Sequence, residues 1–87
     1  MTPIAAMIDL PPMSVPRKRS VMIEGHATSV SLEDPFWQAL ASEAAARGVT
    51  RVALIGQIDS ARPPEVGLAT ALRLFILDRA QNRPATG

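Results

Sequence analysis

The chain contains no cysteine and a single histidine, His26. The first absence excludes a disulfide framework and any thiolate metal site, and one imidazole cannot build a zinc or nickel site within one chain. No cofactor is expected. No apolar run approaches the roughly 20 residues that span a bilayer, so no membrane partner is expected either. The opening segment holds Ile4, Ala5, Ala6, Met7 and Ile8 but lacks a leading positive charge and is broken by Asp9 and Pro11. It does not read as a signal peptide, and the expected address is cytoplasmic. The constellations of an enzyme are missing too: there is no Ser-His-Asp set with workable partners, no glycine-rich phosphate loop and no carboxylate cluster. Charge of one sign is also scarce. Nine Lys and Arg against eight Asp and Glu leave a net charge of +1, which is weak for a nucleic-acid binder, so the distribution carries more than the sum.

At 87 residues the chain makes one small domain with tails. Its surface-to-volume ratio leaves a monomeric core marginal, a weakness that dimerisation relieves. Residues 1–16 hold four of the eight prolines and no sustained apolar period, which describes a mobile tail. Three of the nine basic residues, Arg17, Lys18 and Arg19, are consecutive. Such a triplet is ordinarily a solvated flank. Beside a DNA-reading element it is an arm for phosphates. The expected divisions are therefore a disordered tail with a basic arm over 1–18, a folded domain over 19–80 and a C-terminal tail over 81–87.

From Ala27 to Leu32 the residues Thr28, Val30 and Leu32 fall on one face and Ala27, Ser29 and Ser31 on the other. This is the period-two pattern of a half-buried strand. A lone strand leaves its backbone groups unpaired, and pairing with its copy in a second subunit completes it. A competing partner lies upstream. Val21, Met22 and Ile23 form a short apolar run that stops at Glu24-Gly25, a turn-compatible pair that lets the chain fold back as an intramolecular hairpin.

Helix signals follow. Ser31 is a candidate N-cap, Glu33 and Asp34 place negative charge at the positive end of the dipole, and Pro35 suits a first turn. Phe36, Trp37, Leu40, Ala41, Ala44 and Ala45 then share one face, and Gly48 ends the helix. Thr50 is a natural N-cap for a second helix over Arg51 to Ala61, with Val52, Ile55 and Ile58 on one face, Leu54 supporting it and Pro63-Pro64 stopping it. A third helix, Leu68 to Ala80, carries Leu68, Ala71, Leu72, Phe75 and Ile76 on one side and Leu74 and Leu77 on another. Two apolar sides imply burial on both, against a partner subunit or within a monomeric core. Of the residues with sharper readings, His26 is more often a structural hydrogen-bonding group than a pH sensor at a strand start. Trp37 beside Phe36 packs or rims the core in preference to stacking on a base. Asp59 has Arg62 or Arg73 as an exposed ion-pair partner of little energetic weight.

Strand, helix, Gly-x-Thr turn and helix over Ala27 to Ala61 resemble the ribbon-helix-helix superfamily, with its Arc/MetJ-like fold. More narrowly, GHATSVSLEDPFWQAL, ALIGQIDSARP and ATALRLFIL, within Arg19 to Leu77, are similar to small bacterial ribbon-helix-helix domain proteins. The fold class implied is mainly α with one short β-strand: a homodimer with an intersubunit antiparallel β-ribbon and an additional C-terminal helix. The resemblance implies a transcriptional regulator that inserts the ribbon into the major groove of double-stranded DNA. By position, Ala27, Ser29 and Ser31 face the groove. Thr50, Arg51 and Val52 hold a phosphate at the second helix, assisted by Arg17, Lys18 and Arg19. Val30, Leu32, Phe36, Leu40 and Ile55 form the dimer core. Dedicated repressors of this kind carry long polar residues on the ribbon, and two serines and an alanine reach base edges poorly. The alternative is therefore a ribbon-helix-helix dimer that no longer binds DNA and serves as a protein-interaction or assembly subunit, with a higher oligomer through the third helix.

Overall fold

The computed structural model describes residues 8–82. Residues 8–16 are exposed and belong to no helix or strand, and five elements follow: β1 (Arg17–Ile23), β2 (His26–Leu32), α1 (Asp34–Ala46), α2 (Arg51–Ala61) and α3 (Leu68–Gln81). The two strands form one antiparallel sheet in the order β1-β2, with Ile23 opposite His26 and Arg17 opposite Leu32. Glu24 and Gly25 make the connection at φ +49° and +81°. Positive φ at both central residues is the signature of a tight turn whose twist matches the strands it joins, and glycine takes such a φ without a Cβ penalty.

This hairpin corrects the expectation of one short strand: there are two, paired within the chain. β2 finds its partner in the same chain, so one of its edges is satisfied without a copy. The reason lies in the basic triplet. Arg17, Lys18 and Arg19 belong to β1, and the expected boundary between tail and domain moves from residue 18 to residue 16. The remainder of both tails, 1–7 and 83–87, lies outside the described residues; Gln81 closes α3 and Asn82 caps it.

Alternation along the hairpin gives it an inner side and an outer side. Val21, Val30 and Leu32 point inward and are 6%, 5% and 0% exposed. They join Leu40 and Ala44 of α1, Leu54 and Ile55 of α2, and Leu72 of α3 in one core, with Phe36, Trp37, Ile58, Phe75 and Ile76 packed around it. Of the residues assigned to a dimer core, Val30, Leu32, Leu40 and Ile55 are therefore buried within a single chain, and Phe36 is half-buried. The third helix supplies what a small domain otherwise lacks: it lays Leu72 into the centre and Leu68, Phe75 and Ile76 along the margin.

The helix ends follow from local chemistry. α1 closes in a Schellman arrangement, in which the Gly48 N–H donates to Ala45 O at 3.1 Å and the Val49 N–H to Ala44 O at 2.9 Å. Gly48 adopts φ +72°, the left-handed conformation this cap requires. Thr50 caps α2 as expected, its Oγ1 accepting from the Ala53 N–H at 3.0 Å. The start of α1 differs from the expectation. Ser31 stays in β2 with its side chain outward, and Glu33 occupies the N-cap position without a side-chain cap bond. The Asp34 N–H instead donates to Ser14 Oγ at 3.2 Å. The α2 face is also rotated from the one expected, with Leu54 and Ile55 buried and Val52 exposed.

Candidate nucleic-acid interface

The outer side of the hairpin carries three cross-strand pairs, Lys18 with Ser31, Ser20 with Ser29 and Met22 with Ala27. All six side chains are exposed. None is acidic, and only Lys18 bears a formal charge. Ala27, Ser29 and Ser31 thus lie together on one open surface, as the alternation of β2 implies. Lys18, Ser20 and Met22 complete it, and strand parity counted back from Glu24-Gly25 is the signal that places them there.

The same alternation divides the basic triplet. Arg17 and Arg19 turn to the inner side, toward the start of α1, and leave Lys18 alone on the outer side. Arg19 pairs with the Asp34 carboxylate and donates from Nε and a terminal nitrogen to Leu32 O at 3.3 and 3.1 Å. Arg17 lies 4.0 Å from the same carboxylate. The Arg19 guanidinium also sits 5.1 Å from the Trp37 ring centroid, and Arg51 packs against the same ring at 4.2 Å. Trp37 therefore holds two cations and joins β1 to the amino end of α2. Arg51 Nε is buried with no hydrogen-bond partner, so the ring is its main local attraction.

Two carboxylates offset part of the positive charge around this junction. Arg73 of α3 bonds Glu33 Oε1 at 2.9 Å, and that hydrogen bond, reinforced by the residue's own backbone and opposed by desolvation, holds the Glu33 carboxyl below its usual range. Asp34 is lowered in the same sense, first by its hydrogen bond from Arg19 and then, against some desolvation, by the charges of Arg17 and Arg19. Asp59 pairs with Arg62 at 2.9 Å and not with Arg73. The result is an anchored ribbon whose two inner arginines share the one carboxylate of Asp34.

The amino end of α2 lies beside the hairpin tip. Thr50 and Val52 border a shallow groove together with Met22 and Glu24. At a helix start the first N–H groups have no intrahelical acceptor, which makes this end attractive to an anion. Thr50 Oγ1 already occupies the Ala53 N–H. Those of Arg51 and Val52 precede it.

A family model for the ribbon-helix-helix domain matches residues 16–80. The chain belongs to the ribbon-helix-helix domain family. The match begins one residue before β1 and ends one residue before the close of α3, so the hairpin and the third helix are both parts of the family's domain. No curated protein and no solved structure matches the chain. Ribbon-helix-helix domains commonly bind DNA as regulators of transcription, typically as dimers, and the family is a non-enzymatic one. Among the described residues no helix is long and apolar enough to cross a membrane.

Proposed function

We propose that this protein is a homodimeric DNA-binding regulator of transcription that lays the outer side of the β1–β2 hairpin into the major groove. The observation that carries this reading is the open surface of Lys18, Ser20, Met22, Ala27, Ser29 and Ser31, backed by a core that makes the hairpin rigid. A major groove about 12 Å wide admits a two-stranded β-ribbon, and strands about 4.8 Å apart make the hairpin of one chain narrow enough to enter it. The N–H groups of Arg51 and Val52 at the start of α2 hold a phosphate, and Lys18 contributes a second backbone contact. Ser29 and Ser31 offer hydroxyls to base edges at short range, and Ala27 a methyl. Readout of sequence is accordingly shallow, and most of the affinity comes from the backbone.

Duplex binding measured by fluorescence anisotropy at two salt concentrations tests this. Binding that weakens steeply with salt, with Lys18→Ala reducing the salt slope by about one unit, is the expected result. No binding at low salt overturns it. A second reading, a protein-interaction or assembly subunit, is favoured by one specific observation: of the six exposed residues on the outer side of the hairpin only Lys18 carries a formal charge, little for a surface that must attract phosphates.

A further inference from the structure

The outer side of the hairpin changes character along its length. Lys18 and Ser31 stand at the end away from the turn, Ser20 and Ser29 in the middle, and Met22 and Ala27 nearest the turn. Lys18 and Met22 are the two long side chains among these residues, and they occupy opposite ends of the outer face of β1. One is charged; the other is apolar and flexible. Met22 is 59% exposed, although folding does not call for an apolar residue there. Val21 and Ile23 on either side of it turn inward to the core, and the alternation of β1 sends Met22 the other way.

Met22 does not stand alone. Ala27 lies directly opposite, at the Cβ separation of about 5 Å that joins a cross-strand pair into one surface. Met22 also borders, with Thr50 and the exposed Val52, the groove at the amino end of α2, so the apolar end of the ribbon lies beside the place that the proposed function gives to a phosphate. A side chain without a hydrogen-bond donor finds few partners on the floor of a major groove. Guanine presents N7 and O6, adenine N7 and its N6 amine, and cytosine its N4 amine, and each of these loses water without gaining a bond when an apolar group covers it. Thymine alone adds an apolar group, its C5 methyl.

We propose that Met22 and Ala27 are the sequence-reading residues of this surface and that what they read is the thymine C5 methyl, with Met22 supplying most of the contact. This rests on the proposed entry of the hairpin into the major groove and names what it recognises there. Met22 outreaches the serines, whose hydroxyls serve any base edge that accepts or donates at short range. The selectivity is for thymine at the steps under the hairpin turn. It is modest, because each contact withdraws a single methyl group from water. It also leaves the count of neutralised phosphates untouched, so it is independent of the salt dependence that Lys18 brings.

The test changes only that methyl. An A·T-rich duplex made with thymine and the same duplex made with deoxyuridine differ at C5 and nowhere else, and the full-length wild-type chain is titrated with both. It is expected to bind the thymine duplex more tightly, by about fourfold for each methyl covered and by the same factor at low and at higher salt. A G·C-rich duplex carrying 5-methylcytosine is expected to gain in the same way over its unmethylated form, which separates the methyl group from the shape of A·T-rich DNA. Met22→Ser alters an exposed position and is expected to keep the unfolding midpoint while losing most of the preference, whereas Met22→Leu is expected to retain it. Duplex binding with equal affinity for thymine and deoxyuridine overturns the proposal and leaves the groove-binding reading standing, and so does a preference that survives Met22→Ser. No binding of any duplex at low salt removes the groove-binding reading itself, and this one with it.

Discussion

The two sides of the hairpin answer to different demands. Inward, Val21, Val30 and Leu32 are almost wholly buried against all three helices. Outward, Ser20, Ser29 and Ser31 are exposed. A one-residue step along either strand therefore moves from a position that decides whether the protein folds to one that decides only what it meets. Breaking either side alone should leave the other's property readable.

The largest effect is expected inside. Leu32→Asp places an unpaired charge at a position with no exposure, a burial that a marginal small domain cannot offset. Loss of cooperative unfolding by circular dichroism is the expected outcome. A milder version is Leu40→Ala, which deletes a fully buried side chain of α1 and should cost about 2–5 kcal/mol in chemical denaturation. If Leu40→Ala proved neutral, the core would not be the one formed within a single chain.

Next in size is a contrast within the basic triplet. Arg19 bonds Leu32 O and Asp34 and covers Trp37, so Arg19→Ala should lower stability by about 1–3 kcal/mol. Lys18→Ala should leave stability within about 0.5 kcal/mol and act on duplex binding instead. Equal effects of the two on binding and none on stability would return the triplet to a phosphate arm. Acid sharpens the same contrast. The folded-state carboxyls of Glu33 and Asp34 lie below their ordinary range, so the unfolded chain binds protons first as pH falls. Their contribution is complete above the unfolded carboxylate range near pH 4 and is lost as pH drops through the folded values. Arg19→Ala should flatten the Asp34 part of that acid dependence.

These particulars show what was legible in the chain. The alternation of β2 and the bounds of α2 were plain, because each was written in a clean period with a cap or breaker at its end. Glu24-Gly25 announced a turn, and Leu74 and Leu77 announced a second apolar side to α3. β1 was harder to read. Four of its seven residues are Arg17, Lys18, Arg19 and Ser20, and a strand with arginines at two of its four inward positions shows only a short apolar period. Those arginines face inward because Asp34 and Trp37 come from another element to receive them, information that resides in tertiary structure and not in the local pattern. The start of α1 failed for a similar reason: Ser31 has the chemistry of a cap, yet sheet pairing with Lys18 holds it in the strand and a distant Ser14 takes the role.

A smaller effect is expected at the turn joining the two sides. Glu24 holds φ +49°, where asparagine is better tolerated than glutamate and where an Asn-Gly pair is the preferred turn. Glu24→Asn should raise stability by about 0.4–1 kcal/mol. It also removes a negative charge from the groove that Glu24 shares with Thr50 and Val52 at the amino end of α2. Tighter duplex binding at low salt is therefore expected alongside the gain in stability. A rise in stability with no change in binding would place the phosphate elsewhere.

The smallest effect is expected from the outer serines. Ser29→Ala and Ser31→Ala remove hydroxyls from exposed positions and should leave the unfolding midpoint unchanged to within about 0.5 kcal/mol. If the hydroxyls reach base edges, each loss costs no more than about 1–3 kcal/mol of discrimination between duplex sequences while affinity for unrelated DNA stays the same. Their side chains are short, and the more informative result comes from lengthening them. Ser29→Arg, opposite Ser20 on the open surface, gives the ribbon a fork that bonds guanine in two places and a charge that it otherwise draws only from Lys18. If the hairpin enters the major groove, this variant should bind duplex DNA more tightly and acquire a preference for guanine that the wild type lacks. If it gains only a uniform, salt-sensitive attraction, the hairpin lies against the backbone and the neutral serine surface is better suited to a protein partner.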